Sequence, residues 1–125
     1  MNSSVKFGIS PAGGFREKNS LPNSDITYLS TDLKLWCQNK GYIDYIMPQI
    51  YWGYDHATQP YTMTLDKWQN FVTEDSVALY IGLAPYKPEL NAAVIESQIK
   101  DIGESYKATG YCLFRYDHIH GLNLK

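Results

Sequence analysis

The sequence has neither a surplus of basic residues nor a long apolar run, and each absence excludes a class of partner. The chain of 125 residues has 11 Lys and Arg against 13 Asp and Glu, a net charge of −2. Binding of nucleic acid or of an anionic membrane requires clustered positive charge, so neither partner is expected. No segment approaches the roughly 20 apolar residues of a membrane span. The opening residues MNSS lack the basic and apolar blocks of a signal peptide, which favours a cytosolic or artificial start.

Cysteine is scarce, and the motifs of several cofactor and enzyme classes are missing. Cys37 and Cys112 lie in apolar segments without a CxxC spacing, so two buried thiols are expected rather than a disulfide or a zinc site. His56, His118 and His120 have no further ligands clustered with them, and a zinc site takes three or four. Neither a glycine-rich phosphate loop nor a GxSxG nucleophile motif occurs. No metal and no cofactor are therefore predicted.

Aromatic residues are abundant, and most of them carry a polar tip. They make up 14% of the chain, with 11 tyrosines among them. Tyr and Trp at the mouth of a pocket suit flat, partly apolar ligands with hydroxyl groups, of which sugars are the commonest class. The alternative is ordinary packing between helices and a sheet, which we expect for Trp36 and Trp68.

Four segments have the composition of buried parallel strands. Each is a run of β-branched or aromatic residues bounded by Gly, Pro or Asn, and none alternates between polar and apolar residues. Such continuous hydrophobicity is typical of strands that are covered on both faces of a sheet. The four segments are residues 5–10, 43–51, 77–84 and 111–116.

Three segments between these strands have the apolar spacing of helices. The first helix is expected after an N-cap at Ser30 or Thr31, the second after Thr64, and the third between Asn91 and Gly110. The apolar positions that define the three helices are Leu29, Leu33, Trp36 and Cys37; Leu65, Trp68, Phe71 and Val72; and Ala92, Ile95, Ile99, Ile102 and Tyr106.

The order β-α-β-α-β-α-β leaves two α/β architectures open. Right-handed crossovers join successive parallel strands either in an open doubly wound sheet or in part of a (β/α)8 TIM barrel. A complete barrel takes about 250 residues, so four strands in this length correspond to about half of one. The chain also stops soon after the fourth strand, where a covering helix is expected to begin.

Candidate binding residues follow from the rule that ligands bind at the carboxyl ends of parallel strands. Gln49 lies within a buried strand, where an unpaired amide costs about 1–3 kcal/mol, so either a substrate or neighbouring groups must satisfy it. Tyr51 shares its face by the period of two, which points into a barrel interior. Tyr86 follows the third strand, and Arg115 ends the fourth, with a nearby acid such as Asp117 as its alternative partner.

Catalytic acids cannot be selected from the sequence pattern alone. A glycosidase needs two facing carboxyl groups, one of them held protonated by its surroundings. The spacing of the acids singles out no pair, and each is more simply a solvated loop residue. The acids in the loops at the carboxyl ends of the predicted strands are Glu17, Asp25, Asp55, Glu89 and Asp117.

Four segments resemble the successive strand motifs of bacterial glycosyl hydrolase-like family 10 proteins. They read FGISP at 7–11, IDYIMPQIYW at 43–52, LYIG at 79–82 and GYCLF at 110–114. The resemblance implies a (β/α)8 barrel acting on glycans, including bacterial cell-wall polysaccharide, of which this chain corresponds to strands five to eight. It implies substrate contacts at Ser10, Gln49, Tyr51, Trp52 and Tyr86. It also implies that full-length members are secreted or associated with the cell envelope.

The family's acidic motif at the end of strand four, of the form DDYFYP, does not occur in this chain. The resemblance therefore implies that the catalytic acid lies elsewhere. We expect residues 1–125 to be one unit, half of a glycoside hydrolase-like TIM barrel with its last helix truncated, which contacts a carbohydrate ligand and is inactive alone. Its exposed strand edges predict self-association or pairing with a missing amino-terminal half. The alternative is a non-catalytic carbohydrate-binding or structural module on the same scaffold.

Overall fold

The computed structural model describes residues 4–16, 21–23 and 31–124, in which strands and helices alternate. The strands are β1 (Gly8–Ile9), β2 (Tyr45–Ile46), β3 (Ala78–Leu83) and β4 (Ala108–Leu113). The helices between them are α1 (Leu33–Gln38), α2 (Tyr61–Phe71) and α3 (Ala92–Gly103). A single 3-10 turn, Tyr116–His118, follows β4.

The four strands form one parallel sheet in the order β1-β2-β3-β4. Beyond the end of β2, Gln49 continues the ladder through parallel bridges to Ala12 on one side and to Gly82 on the other. Each strand therefore lies beside the next strand of the chain, whereas a doubly wound sheet reverses its order at a switch point. The predicted α/β class with a parallel sheet is confirmed, and the strand order is consistent with part of a barrel.

The hydrophobic core lies between the helices and one face of the sheet. Leu79, Ile81 and Leu83 alternate along β3 and are each 0% exposed. The intervening residues point to the opposite face, because successive side chains of a strand alternate. The helix side chains that join this core include Leu33, Cys37, Leu65, Trp68, Ile95 and Ile102. The packing predicted for Trp68 is thus confirmed, and Trp36 is half-buried against the same core.

The helix boundaries differ from the predicted ones where a side chain caps the backbone differently. The N-cap of α1 is Asp32, whose carboxylate accepts a hydrogen bond from Leu35 N at 2.9 Å, and not Ser30 or Thr31. Leu29 and Ser30 lie outside the described residues. Asn91 caps α3 as predicted.

The ends of α2 and α3 also correct the sequence reading. Helix α2 begins directly after Pro60, four residues before the predicted start, and Thr64 lies buried inside it. Helix α3 ends at Gly103 because Ser105 Oγ donates to Ile102 O at 2.7 Å and so turns the chain into β4. Tyr106 is therefore outside the helix and 70% exposed.

The strands pair over shorter or shifted stretches than the apolar segments predicted. Strand β4 begins at Ala108, opposite Leu79, rather than at Tyr111, so Gly110 is a strand residue and not a helix end. The register of the neighbouring strand decides these limits, and the apolar pattern does not contain it.

The prediction of two buried thiols is correct for Cys37 and wrong for Cys112, which is exposed. Cys112 is in register with Gly82 and shares its sheet face with Phe114 by the alternation of the strand. Phe114 is 52% exposed. The prediction assumed strands covered on both faces, but the core of the described chain lies on one face only.

Gly13 marks the closest approach between the segment after β1 and the backbone of Gln49. Its N–H donates to Gln49 O at 3.2 Å, and its own carbonyl accepts a hydrogen bond from the Trp68 indole at 2.8 Å. A Cβ at position 13 would lie 2.5 Å from Gln49 O, closer than real Cβ atoms approach. Only glycine fits between these two segments without moving backbone.

We expect Gly13→Ala to lower the free energy of unfolding by about 1–3 kcal/mol, because backbone must shift to admit the methyl group. Gly103→Ala is the matched control, since a Cβ at position 103 meets nothing within 4 Å. Alanine inside a helix end is neutral or stabilising by up to about 1 kcal/mol. Urea unfolding followed by circular dichroism measures both changes, and equal stability of the two variants would contradict the close approach.

Two tyrosines tie the long segment after β2 to helix α3. Tyr54 OH donates to Asp101 Oδ2 at 2.6 Å, and the buried Tyr61 OH donates to the backbone oxygen of Gln98 at 3.3 Å. Burial, followed by the nearby Tyr54 and Asp101, raises the pKa of Tyr61 well above the ordinary tyrosine value of 10.0. The folded chain therefore holds this proton at a pH where the unfolded chain has released it.

This proton linkage makes the fold less stable at alkaline pH. The protonated Tyr61 contributes fully to the free energy of unfolding below about pH 10, and this contribution is lost as the pH rises toward the pKa of the folded state. We expect the Tyr61→Phe variant to lose less stability than the wild type between about pH 8 and pH 11. Tyr116→Phe, at a 76% exposed position, should behave like the wild type. Urea unfolding at each pH is the measurement, and identical slopes for all three proteins would refute the linkage.

Candidate functional site

A serine and a glutamine meet where β1 and β2 end. Ser10 Oγ donates to Met47 O at 2.8 Å, and Gln49 Nε2 donates to Ser10 O at 2.9 Å and to Ser10 Oγ at 3.3 Å. The amide nitrogen of Gln49 is thus fixed by the neighbouring strand. Its Oε1 has no hydrogen-bond partner within the described residues, so it remains an acceptor on the sheet face opposite the core.

Three aromatic side chains from three consecutive strand ends form a wall beside this pair. The rings of Tyr51 and Phe114 are nearly parallel, 17° apart with centroids at 6.3 Å. Tyr86 packs edge-on against both, at 6.2 Å from Tyr51 and 5.9 Å from Phe114. His118 contacts Tyr86 from behind at 6.4 Å. This aromatic wall, defined as Tyr51, Tyr86 and Phe114, has the flat apolar surface on which a sugar ring packs.

Tyr51 and Phe114 of this wall, together with the Ser10–Gln49 pair, border a pocket of about 280 Å³, which we name the central pocket. Gly82 gives the pocket its floor, since a Cβ there would meet the Tyr51 ring at 3.4 Å and Pro48 O at 3.2 Å. The residues that line the central pocket are Ser10, Met47, Gln49, Tyr51, Gly82, Cys112 and Phe114.

The Tyr51 hydroxyl remains protonated at neutral pH. Burial is the main cause that raises the pKa of Tyr51, with smaller contributions from Tyr86 and Cys112. A neutral phenol donates one hydrogen bond and accepts others. Tyr51 and Gln49 Oε1 therefore offer a donor and an acceptor at the same pocket, which suits a ligand with several hydroxyl groups.

Trp52 lies next to the central pocket and not in it. Its indole N–H donates to Gln59 O at 2.6 Å, and its ring borders an adjoining pocket of about 310 Å³, the lateral pocket. Gln49 and Tyr51 line both pockets. The two pockets therefore adjoin along the side formed by Gln49 and Tyr51.

The structure brings together some of the predicted binding residues and separates others. Ser10, Gln49 and Tyr51 line the central pocket, whereas Tyr86 packs against Tyr51 and does not itself line the pocket. Arg115 lines neither pocket. Its Nε lies 3.3 Å from Asp117 Oδ2, so it makes the ion pair that the sequence left as the alternative.

Sequence reasoning missed Phe114 and the residues of the lateral pocket. Phe114 was predictable from the alternation of side chains along a strand. Gly110, Cys112 and Phe114 lie two residues apart, so all three share the sheet face of Gly82. Gln59 and His56 carried no signal, since their positions depend on contacts across loops. Gln59, for example, bonds to the backbone of Phe15, 44 residues away.

The candidate acids of the described chain lie away from both pockets. Glu89 pairs with Lys87 at 3.9 Å, Asp117 pairs with Arg115, and the exposed Asp55 lines neither pocket. Glu17 and Asp25 lie outside the described residues. A general acid of a glycosidase needs a raised pKa. No described carboxyl group is therefore placed to act on a ligand in these pockets.

Two described carboxyl groups with a lowered pKa, Asp44 and Glu74, lie at the opposite end of the strands. The pKa of Asp44 is lowered chiefly by the Phe7 N–H, which donates to its Oδ2 at 2.8 Å. The pKa of Glu74 is lowered chiefly by the hydroxyl of Ser76 at 2.7 Å. In each case the hydrogen bond stabilises the ionised carboxylate. Asp44 and Glu74 therefore act as hydrogen-bond acceptors within the fold.

The described ranges contain neither a cluster of metal ligands nor a helix that could cross a membrane. Within them, no three His, Cys, Asp or Glu side chains converge as a metal site would require. Likewise, none of the described helices has the length and hydrophobicity that crossing a membrane requires.

A parallel α/β sheet in sequential order, with a cleft at the carboxyl ends of its strands, is consistent with part of a (β/α)8 barrel, a fold in which ligands bind at that end. The chain belongs to the Glycosyl hydrolase-like 10 family, whose model matches residues 1–101. This confirms the resemblance read from the strand motifs.

Two relatives show how much of a longer protein the match covers. The chain is 42% identical over 91 residues to "Glycosyl hydrolase YngK" of Bacillus subtilis (strain 168), covering 66% of this chain and 18% of that protein. It is 31% identical over 135 residues to "Glycosyl hydrolase DigH" of Escherichia coli (strain K12), covering 93% of this chain and 30% of that protein. The chain thus spans less than a third of the length of these curated relatives.

The exposed Cys112 provides a direct check of the site geometry. We expect one thiol of the native chain to react rapidly with a thiol reagent, and Cys112→Ser to abolish this reaction, because Cys37 is buried. Urea should expose the second thiol. Absorbance of the released reagent anion measures both phases, and equal rates for the two thiols in the native chain would contradict the placement of Cys112 on the open face.

Proposed function

We propose that the chain is the strand-five-to-eight half of a (β/α)8 glycoside hydrolase-like barrel, and that it binds the sugar units of a polysaccharide. The central pocket carries this proposal, because aromatic rings there stand beside a neutral phenol and an amide oxygen that has no partner among the residues the structure describes. Membership of the family and the sequential parallel strand order support it. Residues 1–125 act in this proposal as one unit.

The bound sugar lies with its apolar face on the aromatic wall. Gln49 Oε1 accepts a hydrogen bond from one sugar hydroxyl, and Tyr51 OH donates to or accepts from another. The Ser10 contacts keep the Gln49 amide in the orientation that presents Oε1. Because these groups are fixed before binding, little side-chain entropy is lost when the ligand enters.

Hydrolysis of a glycosidic bond requires two carboxyl groups that face each other across the bond. The pockets of the described chain are lined by none, so in this proposal the catalytic pair comes from the remainder of the barrel. The family's acidic motif at the end of strand four is absent from this sequence. The chain alone is therefore expected to bind glycan without cleaving it, with bacterial cell-wall polysaccharide as the proposed substrate.

The partner in this proposal is the amino-terminal half of the same barrel. Among the described residues, strands β1 and β4 each pair with a neighbouring strand on one side only, and such edge strands are templates for pairing with another chain. A groove of about 650 Å³ along α3 and β4 is a further uncovered surface, lined by apolar residues such as Ile99 and Ile102 and by charged residues such as Glu96 and Lys100. The relatives are more than three times as long as the region that this chain matches. A protein of their length therefore has room for the four further strands of a barrel.

A second candidate function is a non-catalytic carbohydrate-binding or structural module. One observation favours it, namely that no described carboxylate lines either pocket. Both candidates require sugar binding at Gln49 and Tyr51. They differ in whether the completed barrel cleaves the bound glycan.

We expect Gln49→Ala and Tyr51→Ala each to weaken binding of solubilised cell-wall glycan about tenfold, because each removes a hydrogen bond and Tyr51→Ala also removes part of the wall. Tyr116→Ala is the control, at an exposed position that lines neither pocket. Intrinsic fluorescence titration measures the affinity. Unchanged binding in both site variants would show that the site is assigned wrongly.

Addition of an amino-terminal half from a family member tests whether the completed barrel cleaves the glycan or only binds it. Hydrolysis of the glycan by the mixture, but not by this chain alone, supports the enzyme. Binding without turnover in the completed barrel supports the non-catalytic module.

The uncovered strand edges predict that the isolated chain self-associates. We expect light scattering to give the mass of a dimer or a larger assembly, and addition of the amino-terminal half to replace it by a one-to-one complex. A monodisperse monomer in the absence of a partner would contradict the proposal that these edges are interfaces.

A further inference from the structure

The lateral pocket is built by cross-links between the loops that follow β1 and β2. Gln59 makes both hydrogen bonds of its amide to Phe15, accepting from Phe15 N at 2.7 Å and donating to Phe15 O at 2.9 Å. The carbonyl of Gln59 also accepts from the Trp52 indole at 2.6 Å. One residue therefore fixes the distance between the two loops and the orientation of the tryptophan ring.

His56 adds a hydrogen-bond donor to this pocket. Its Nδ1 accepts from the backbone N–H of Gln59 at 3.2 Å, so the proton of the neutral ring is on Nε2. The histidine ring lies 5.4 Å from the Trp52 ring, tilted by 45°. His56 and Trp52 thus give the pocket an aromatic surface with a donor at its rim.

The space in the lateral pocket depends on a glycine. A Cβ at position 14 would come 2.8 Å from Asn23 Nδ2 and 3.6 Å from Gln59 Oε1, and all three residues line the pocket. The Gln59 amide is satisfied by Phe15, so the lateral pocket offers a ligand the Trp52 and His56 rings and the His56 Nε2 donor, beside the groups that it has in common with the central pocket. It shares Gln49 and Tyr51 with that pocket.

We propose that the lateral pocket is a second sugar-binding subsite, so that the ligand is an oligosaccharide that passes over Gln49 and Tyr51 from one pocket into the other. This inference rests on the proposed sugar binding at the central pocket. Each pocket holds about 300 Å³, the lower limit of small-molecule sites. Together they accommodate a ligand longer than one sugar unit.

The test compares ligands of different length on the 125-residue chain. N-acetylglucosamine and its β-1,4-linked tetramer are titrated and followed by tryptophan fluorescence. We expect the tetramer to bind about tenfold or more tightly than the monosaccharide. His56→Ala and Gly14→Ala should each weaken the tetramer about tenfold and the monosaccharide less than about twofold. His120→Ala, an exposed histidine that lines neither pocket, is the matched control.

The outcomes separate this inference from the proposed function. Equal affinity for monosaccharide and tetramer, or unchanged tetramer affinity in His56→Ala, overturns the second subsite while binding that is sensitive to Gln49→Ala keeps the central one. If neither sugar binds, both proposals fall. His56 is exposed and its substitution leaves the core intact, so a folding defect in Gly14→Ala does not remove the test.

Discussion

Gln49 holds three strands and the candidate site together. Its backbone N–H donates to Pro11 O at 2.9 Å, its carbonyl accepts from Gly13 N, and its side chain bonds to Ser10. The next residue donates to Gly82 O at 3.0 Å and so continues the ladder into β3. The strand ends are therefore fixed at the point where the pockets form, and the position of the aromatic wall follows from that register.

The one-sided core has a second effect on the site. Helices pack against Leu79, Ile81 and Leu83 on one face of the sheet. The residues between them point to the other face, which the described helices do not cover. Tyr45 and Tyr80 occupy part of this other face with an edge-to-face contact at 6.0 Å. Gly8 leaves room for the Tyr45 ring, because a Cβ at that position would overlap it, whereas a Cβ at position 110 would only reach contact distance of the Tyr80 ring, at 3.4 Å. Toward the carboxyl ends the same face opens into the central pocket.

The sequence predicted best what depends on local pattern. The alternation of elements, the parallel class, the Asn91 cap and the shared face of Gln49 and Tyr51 all follow from spacing within a short window. The strand limits and the exposure of Cys112 do not, because they depend on which neighbour covers each strand. The lateral pocket was out of reach of the pattern, since Gln59 and Phe15 are brought together only by the fold.

The Gln59–Phe15 contact spans 44 residues of chain. Closing a loop of this length costs conformational entropy, which the contacts of the paired strands offset. Contacts between residues far apart in the sequence form more slowly than local ones. We therefore expect the lateral pocket to become ordered only after β1 and β2, from which both of its loops extend, have paired. Its amide hydrogens should be among the first to exchange with solvent when the native state opens locally.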